Sequence, residues 1–248
     1  MANPIAQFEI TPLVPLSVGP LDISFTNSSL WMVIAVVVST IFLGLATSRK
    51  ALVPGRLQMS AEVLYEFIAG MIRENIGQGG RQYFPLIFTL FMVVFLGNAL
   101  GLLPYSFTYT SHLVVTAALA LIIFFAVLVI GFVRHGTHFF SLFVPAGLPL
   151  WLMPLIVPIE LISFLVRPIT LSVRLFANMI AGHIMLKVFA GFSAAMITMG
   201  VGGYALGLLP MLFNTVMLAF ELLVAFLQAY VFAILSCIYL KDTVEIDH

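Results

Sequence analysis

Charge is scarce in this sequence. Asp, Glu, Lys and Arg make up only 8% of the 248 residues, against roughly 25% in an ordinary soluble domain. Ten basic residues balance ten acidic ones. A chain without a basic excess has no electrostatic footprint for nucleic acid, and no such partner is expected. Cysteine is nearly missing as well. Cys237 stands alone in an apolar run, which excludes a disulfide framework or a cysteine metal cluster. There is no GxxxxGK[ST] phosphate loop, no His/Cys metal spacing and no nucleophile elbow. Neither a metal nor a cofactor is expected, and the chain reads as one that moves something rather than makes it. Residues 1–27 carry only Glu9 and Asp22 as charges, so no basic leader precedes a short apolar core. A cleaved signal or transit peptide is not expected.

What the sequence has is apolar length. Hydrophobic residues form 62% of it and the mean hydropathy is +1.17. A membrane span needs about 20 apolar residues, and several separate runs reach that length. The expected class is all-α: a polytopic membrane protein with five membrane-embedded helices and one interfacial amphipathic helix, in one membrane-embedded domain. Residues 1–27, with four prolines, read as an exposed arm. Spans are predicted over 30–47, 83–103 and 112–133. Over 58–77 the pattern differs: Leu64, Phe67, Ile68, Met71 and Ile72 recur at helical spacing while Glu62, Glu66, Arg73 and Glu74 interrupt any continuous run. That is a helix lying at an interface or on a partner. Residues 148–240 hold the last two helices. The first is punctuated by Pro149, Pro154, Pro158 and Pro168 and is expected to be long, tilted or kinked. The glycine-rich stretch 191–207 reads as the turn, and the final helix as 210–240.

Basic loops set the orientation. Placing Arg49, Lys50, Arg56, Arg73, Arg81, Arg134 and Lys241 inside leaves Lys187 outside and Arg167 and Arg174 within the membrane. The N-terminus is then external and the C-terminus internal.

Polar residues inside the long helices carry the functional signal. At about 100° per residue, Glu160, Ser163, Arg167, Thr170 and Asn178 all fall within about 40° of Arg174. His183 falls on the opposite side of the same helix, near Lys187. On the last helix Asn214, Glu221 and Gln228 are spaced seven apart and share a face, and Glu221 comes to a depth where it can face His183. An arginine at bilayer centre costs about 2.5–3.5 kcal/mol on insertion scales. Several such residues are better explained by a wet or hydrogen-bonded path than by packing. For Arg167 two readings stay open, a role in that path or a structural one, in which it snorkels to the interface or pairs with Glu160 seven residues earlier. Asn98, Thr108, His112, His135 and His138 fall in or near loops and carry little signal.

The segment TLSVRLFANM at 170–179, with Glu160 upstream and ELLVAFLQAY at 221–230, resembles the a subunit (subunit 6) of F-type ATP synthase, and the likeness covers most of the chain. The resemblance implies that the last two helices lie tilted against a rotating ring of c subunits, each with a carboxyl group in mid-membrane. It implies that Arg174 faces that ring. His183 and Glu221 would belong to an outer half-channel, with Asn178 and Gln228 near the ring carboxyl, and Glu160 with Ser163 would line an inner half-channel. The implied partners are the c ring, the b subunits of the peripheral stalk and the other synthase subunits, within the lipid bilayer of a bacterial inner membrane. The chain would not act on ATP itself. Two departures stand out. Some relatives carry the acid at the place of His183 and the histidine at the place of Glu221, and some carry an aspartate where Gly101 stands, which leaves a relay role for the loop after it in doubt. The competing readings are a stand-alone secondary transporter or ion channel, which would be expected to show inverted repeats or paired broken helices, and a structural membrane anchor, which leaves the polar stripe unexplained. A His/Glu pair suits protons better than sodium.

Overall fold

The computed structural model describes residues 6–18, 21–22, 24–48, 51, 53–103, 106–136, 139 and 152–244. Arg49, Lys50, His138 and Pro149 lie outside the described residues. Six α-helices carry the described chain: α1 (Asn27–Thr47), α2 (Arg56–Ile76), α3 (Phe84–Gly101), α4 (Leu113–His135), α5 (Met153–Ile197) and α6 (Val201–Val244). Five of them, all but α2, are long and apolar enough to cross a membrane. Helix α2 is the amphipathic exception. It buries Ile68, Met71, Ile72 and Ile76 on one side and exposes Leu57, Met59 and Val63, with Glu62, Glu66 and Glu74 along its length.

Of the last two helices, α5 has about the expected length but lies further along the chain, and α6 is longer than expected. With 45 residues in α5 and 44 in α6, each is about 65 Å long at 1.5 Å per residue, twice the hydrocarbon thickness of a bilayer. Neither can stand upright in one. Pro158 and Pro168 sit inside α5 and Pro210 inside α6, and no break follows from them. Pro210 is therefore not the start of the final helix.

By their contacts the residues group into two compact units, to both of which α1, α3, α5 and α6 contribute. The first comprises Met1–Phe42, Met92–His112 and Leu175–Ala229. Its arm is folded locally. Strand β1 (Pro12–Val14) pairs antiparallel with β4 (Phe25–Thr26), and β2 (Ser17–Val18) pairs with β3 (Leu21–Asp22) inside it. Asn27 ties the base of this hairpin to α1, since its amide donates to the Glu9 carbonyl at 3.0 Å and its side-chain oxygen accepts from the Thr11 and Ser28 N–H groups.

The glycine-rich stretch of this unit is mostly helix. The reversal between α5 and α6 takes only Thr198, Met199 and Gly200, with Gly200 at φ +93°, a conformation that favours glycine. Gly203 and Gly207 serve close approach instead. A Cβ on Gly203 would overlap the Met196 carbonyl, and one on Gly207 would come within 3.2 Å of the Ser193 carbonyl. The Ser193 hydroxyl donates to the Gly207 carbonyl at 2.8 Å. Composition alone reads these glycines as a loop, because the close contact that requires them is tertiary.

The second unit comprises Leu43–Phe91, Leu113–Arg174 and Tyr230–His248. Rings knit it together. Tyr65 packs on Phe84 with centroids 4.6 Å apart, Phe67 on Tyr230 at 5.7 Å, and Phe124 on Phe164 at 5.1 Å. Arg167 is held here: its guanidinium donates to Asp242 at 2.8 Å and lies over the rings of Tyr239 and Phe164. Asp242, not Glu160, is its partner. Sequence spacing cannot find such a pair, because the two residues lie 75 positions apart on different helices.

Gly203→Val is predicted to force α5 and α6 apart at the reversal and to destabilise the protein by about 1–3 kcal/mol. A fall in thermal unfolding temperature in lipid nanodiscs is the check, and an unchanged temperature would refute the close-approach role.

Candidate functional site

The tight reversal folds α6 back along α5 in the first unit and brings two buried titratable groups together. His183 Nδ1 lies 3.7 Å from Glu221 Oε1. The histidine is 8% exposed and the glutamate 4%. Neither carboxyl oxygen of Glu221 has a hydrogen-bond partner among the described residues. Such a buried group loses its water without replacement, at a cost of about 1–3 kcal/mol or more, and an orphan of that kind in a native fold calls for a functional explanation.

Space around the carboxyl is arranged by small residues. Gly182 faces it, and a Cβ there would come within 2.6 Å of Glu221 Oε1. One turn along α6, Ala225 is fully buried. Beside the pair is a cavity of about 330 Å³ lined by Glu221, Gly182, Asn178 and Gln228 together with apolar side chains such as Met185 and Phe220. Four of the residues singled out by sequence, His183, Glu221, Asn178 and Gln228, are thus gathered in this unit. On α6, Asn214 is half-buried and its side-chain oxygen has no hydrogen bond among the described residues.

Loop residues that carried no signal in the sequence complete the site. Thr108 Oγ1 lies 2.9 Å from His183 Nε2, on the far side of the imidazole from Glu221, and donates to the Gly101 carbonyl at 3.2 Å. Asn98 is fully buried. Its oxygen accepts from the Thr110 hydroxyl at 2.7 Å and its amide donates to the Ala225 carbonyl at 3.3 Å. The Tyr109 hydroxyl donates to the Val93 carbonyl at 2.7 Å. The loop after α3 is therefore an inward-folded strap, with Phe107 through Ser111 all buried. His112 stacks on Phe107 at 5.2 Å, and burial lowers its affinity for a proton below the ordinary value. Phe8 of the arm meets the His183 ring edge-on at 6.3 Å. The available sequence signal was the hydroxyl content of PYSFTYTS and an asparagine within an apolar run.

The remaining candidates stand on the α5 stretch of the second unit. Ser163 and Arg174 are exposed and Glu160 is half-buried. The buried side of α5 there is formed by Phe164, Leu171 and Ser172, on a different face from the polar stripe. Glu160 and Ser163 make no side-chain hydrogen bond, and Arg174 has no carboxylate partner, among the described residues. The Tyr239 phenol is within electrostatic reach of both Arg167 and Arg174. No group of three or more His, Cys, Asp or Glu able to hold a metal ion occurs among the described residues.

Comparison with known proteins bears on this arrangement. Residues 29–241 match the family model described as ATP synthase A chain. The chain is 57% identical over 245 residues to the ATP synthase subunit a of Rhodospirillum rubrum, covering 99% of each. It is 55% identical over 246 residues to that of Mesorhizobium japonicum, covering 99% of this chain and 98% of the relative. With the subunit a of Agrobacterium fabrum it shares 53% over 249 residues and the full length of both.

Replacing Asn98 by Leu is predicted to strand the Thr110 hydroxyl in the interior, at a cost of about 1–3 kcal/mol. Thermal unfolding reports the loss, and wild-type stability in this variant would show that the amide does not hold the strap.

Proposed function

The chain belongs to the ATP synthase A chain family, the proton-translocating stator subunits of Fo, and from that premise we propose that its protons pass through two offset half-channels separated by Arg174. It is a multi-pass protein of the bacterial inner membrane and works with other ATP synthase subunits. The finer partners belong to the proposal: a ring of c subunits, which carries the protons between the half-channels, and the b subunits of the peripheral stalk. The N-terminus lies on the periplasmic side and the C-terminus in the cytoplasm, as the basic loops favour.

Glu221 and His183 form the outer half-channel, with Asn178 and Gln228 at its end nearest the ring. The observation that carries this reading is the buried carboxyl with no hydrogen bond among the described residues, 3.7 Å from an imidazole nitrogen and beside a cavity. A carboxyl and an imidazole at that separation can exchange a proton after a small movement or through one water. Glu160 and Ser163 form the inner half-channel. Because Asp242 takes Arg167, Glu160 is left without that cation and can accept protons leaving the ring.

Arg174 is the separator. A guanidinium does not deprotonate in proteins, so it offers an arriving proton no acceptor. It favours the ionised form of a carboxyl in front of it. Exposed on α5 and without a carboxylate partner among the described residues, it can take a ring carboxyl as its counter-charge. Each ring carboxyl then releases its proton as it approaches Arg174 and takes another after passing it. The membrane potential contributes about 2.3 kcal/mol per charge per 100 mV, and the offset between the half-channels turns that energy into rotation.

Glu221→Gln keeps the volume and removes the titrating group. It is predicted to slow passive proton flux through the complex in vesicles, and the exchange Glu221→His with His183→Glu is predicted to recover part of it. Wild-type flux in Glu221→Gln would remove Glu221 from the path.

A further inference from the structure

We propose that Thr108 is a positioning residue for His183, holding the imidazole in the tautomer that turns the Nδ1 lone pair toward Glu221. The inference rests on the proposed proton path through His183 and Glu221. It concerns which ring nitrogen carries the hydrogen when the histidine is neutral.

Two acceptors lie within reach of the Thr108 hydroxyl, the Gly101 carbonyl at 3.2 Å and His183 Nε2 at 2.9 Å. The hydroxyl has one hydrogen to donate. The carbonyl can only accept, and it accepts from the Ser106 hydroxyl at 2.8 Å as well as from Thr108; the contact with Nε2 can have the hydrogen at either end. In the proposed arrangement the hydroxyl gives its hydrogen to the carbonyl and meets Nε2 with a lone pair, which puts the N–H on that nitrogen. Nδ1, 3.7 Å from Glu221 Oε1, is left as an acceptor. A protonated Glu221 facing it can pass its proton on: the Glu221 O–H bond breaks, an Nδ1–H bond forms, and a carboxylate and an imidazolium result. The reverse step reloads Glu221. The other neutral tautomer would set an N–H against Glu221, where it can stabilise a carboxylate but cannot take a proton.

The contact is built rather than incidental. Thr108 is 5% exposed, and its β-branched side chain has little freedom at χ1. Its backbone is pinned from both sides, since the Ser111 hydroxyl donates to the Thr108 carbonyl at 2.6 Å and the neighbouring Tyr109 is bonded to Val93. Gly101 makes the room, because a Cβ on it would overlap the Thr108 hydroxyl. A glycine at the end of α3 thus lets a hydroxyl from the next loop stand against the histidine.

The test uses the assembled enzyme in lipid vesicles, with histidine labelled by 15N and the His183 signals assigned by their loss in His183→Gln. Wild type is expected to show a protonated Nε2 and a bare Nδ1 at His183, and the opposite pattern would overturn the inference without any variant of Thr108. Thr108→Val keeps the shape and removes the hydroxyl. It is expected to lower proton flux roughly tenfold or more and to mix the His183 tautomers, while Thr108→Ser keeps most of the flux and the wild-type signature. Wild-type flux and tautomer in Thr108→Val, or equal impairment in the two variants, would refute the role. A His183→Ala control separates the levels. If it leaves flux intact, the proposed path through His183 fails and this inference with it; if it blocks flux while Thr108→Val does not, only the role of Thr108 is refuted.

Discussion

A charge that cannot be discharged, placed in a low-dielectric setting, is the constraint on which the rest depends. Moving an arginine into a bilayer is costly, and its guanidinium escapes the cost neither by losing a proton nor, at position 174, by pairing with a carboxylate among the described residues. Arg167 on the same stripe shows the alternative. There the guanidinium is neutralised by Asp242 and packed on two rings, and the pair works as a joint between helices. Two arginines seven residues apart thus differ: one closes a contact within the chain, and the other has no carboxylate partner among the described residues, as the proposed meeting with a ring carboxyl requires.

The site around Glu221 follows a complementary rule. A glutamate buried without a hydrogen bond among the described residues suits a group that gains and loses a proton, the role proposed for Glu221. Gly182 keeps the space in front of the carboxyl clear, Ala225 lets α6 be held by the Asn98 amide, and Thr108 faces the histidine from the other side. The proposed path needs both a rigid strap after α3 and an open cavity beside Glu221. A loose strap would lose the alignment, and a filled cavity would leave no route to Asn178 and Gln228.

Much of this was legible in the residues. The five spans, the amphipathic α2 and the polar stripe of α5 follow from hydropathy and a period of 3.6, both of which are local in the chain. The meeting of His183 with Glu221 could be anticipated from depth along an antiparallel pair. The features that escaped are those in which distant segments decide the outcome. Gly203 and Gly207 look like turn residues until the opposing carbonyls of α5 are seen, Arg167 finds its partner 75 residues away, and Thr108 looks like an ordinary loop hydroxyl until the loop is known to fold inward. The short strands of the arm also escaped, since segments of two or three residues carry no periodicity.

The separation of two proton paths by Arg174 is tested most directly with Arg174→Ala enzyme reconstituted in vesicles, measuring ATP synthesis under an imposed proton gradient beside passive proton flux. If the guanidinium is the barrier, synthesis is abolished while protons still cross. Synthesis at the wild-type rate would contradict the account.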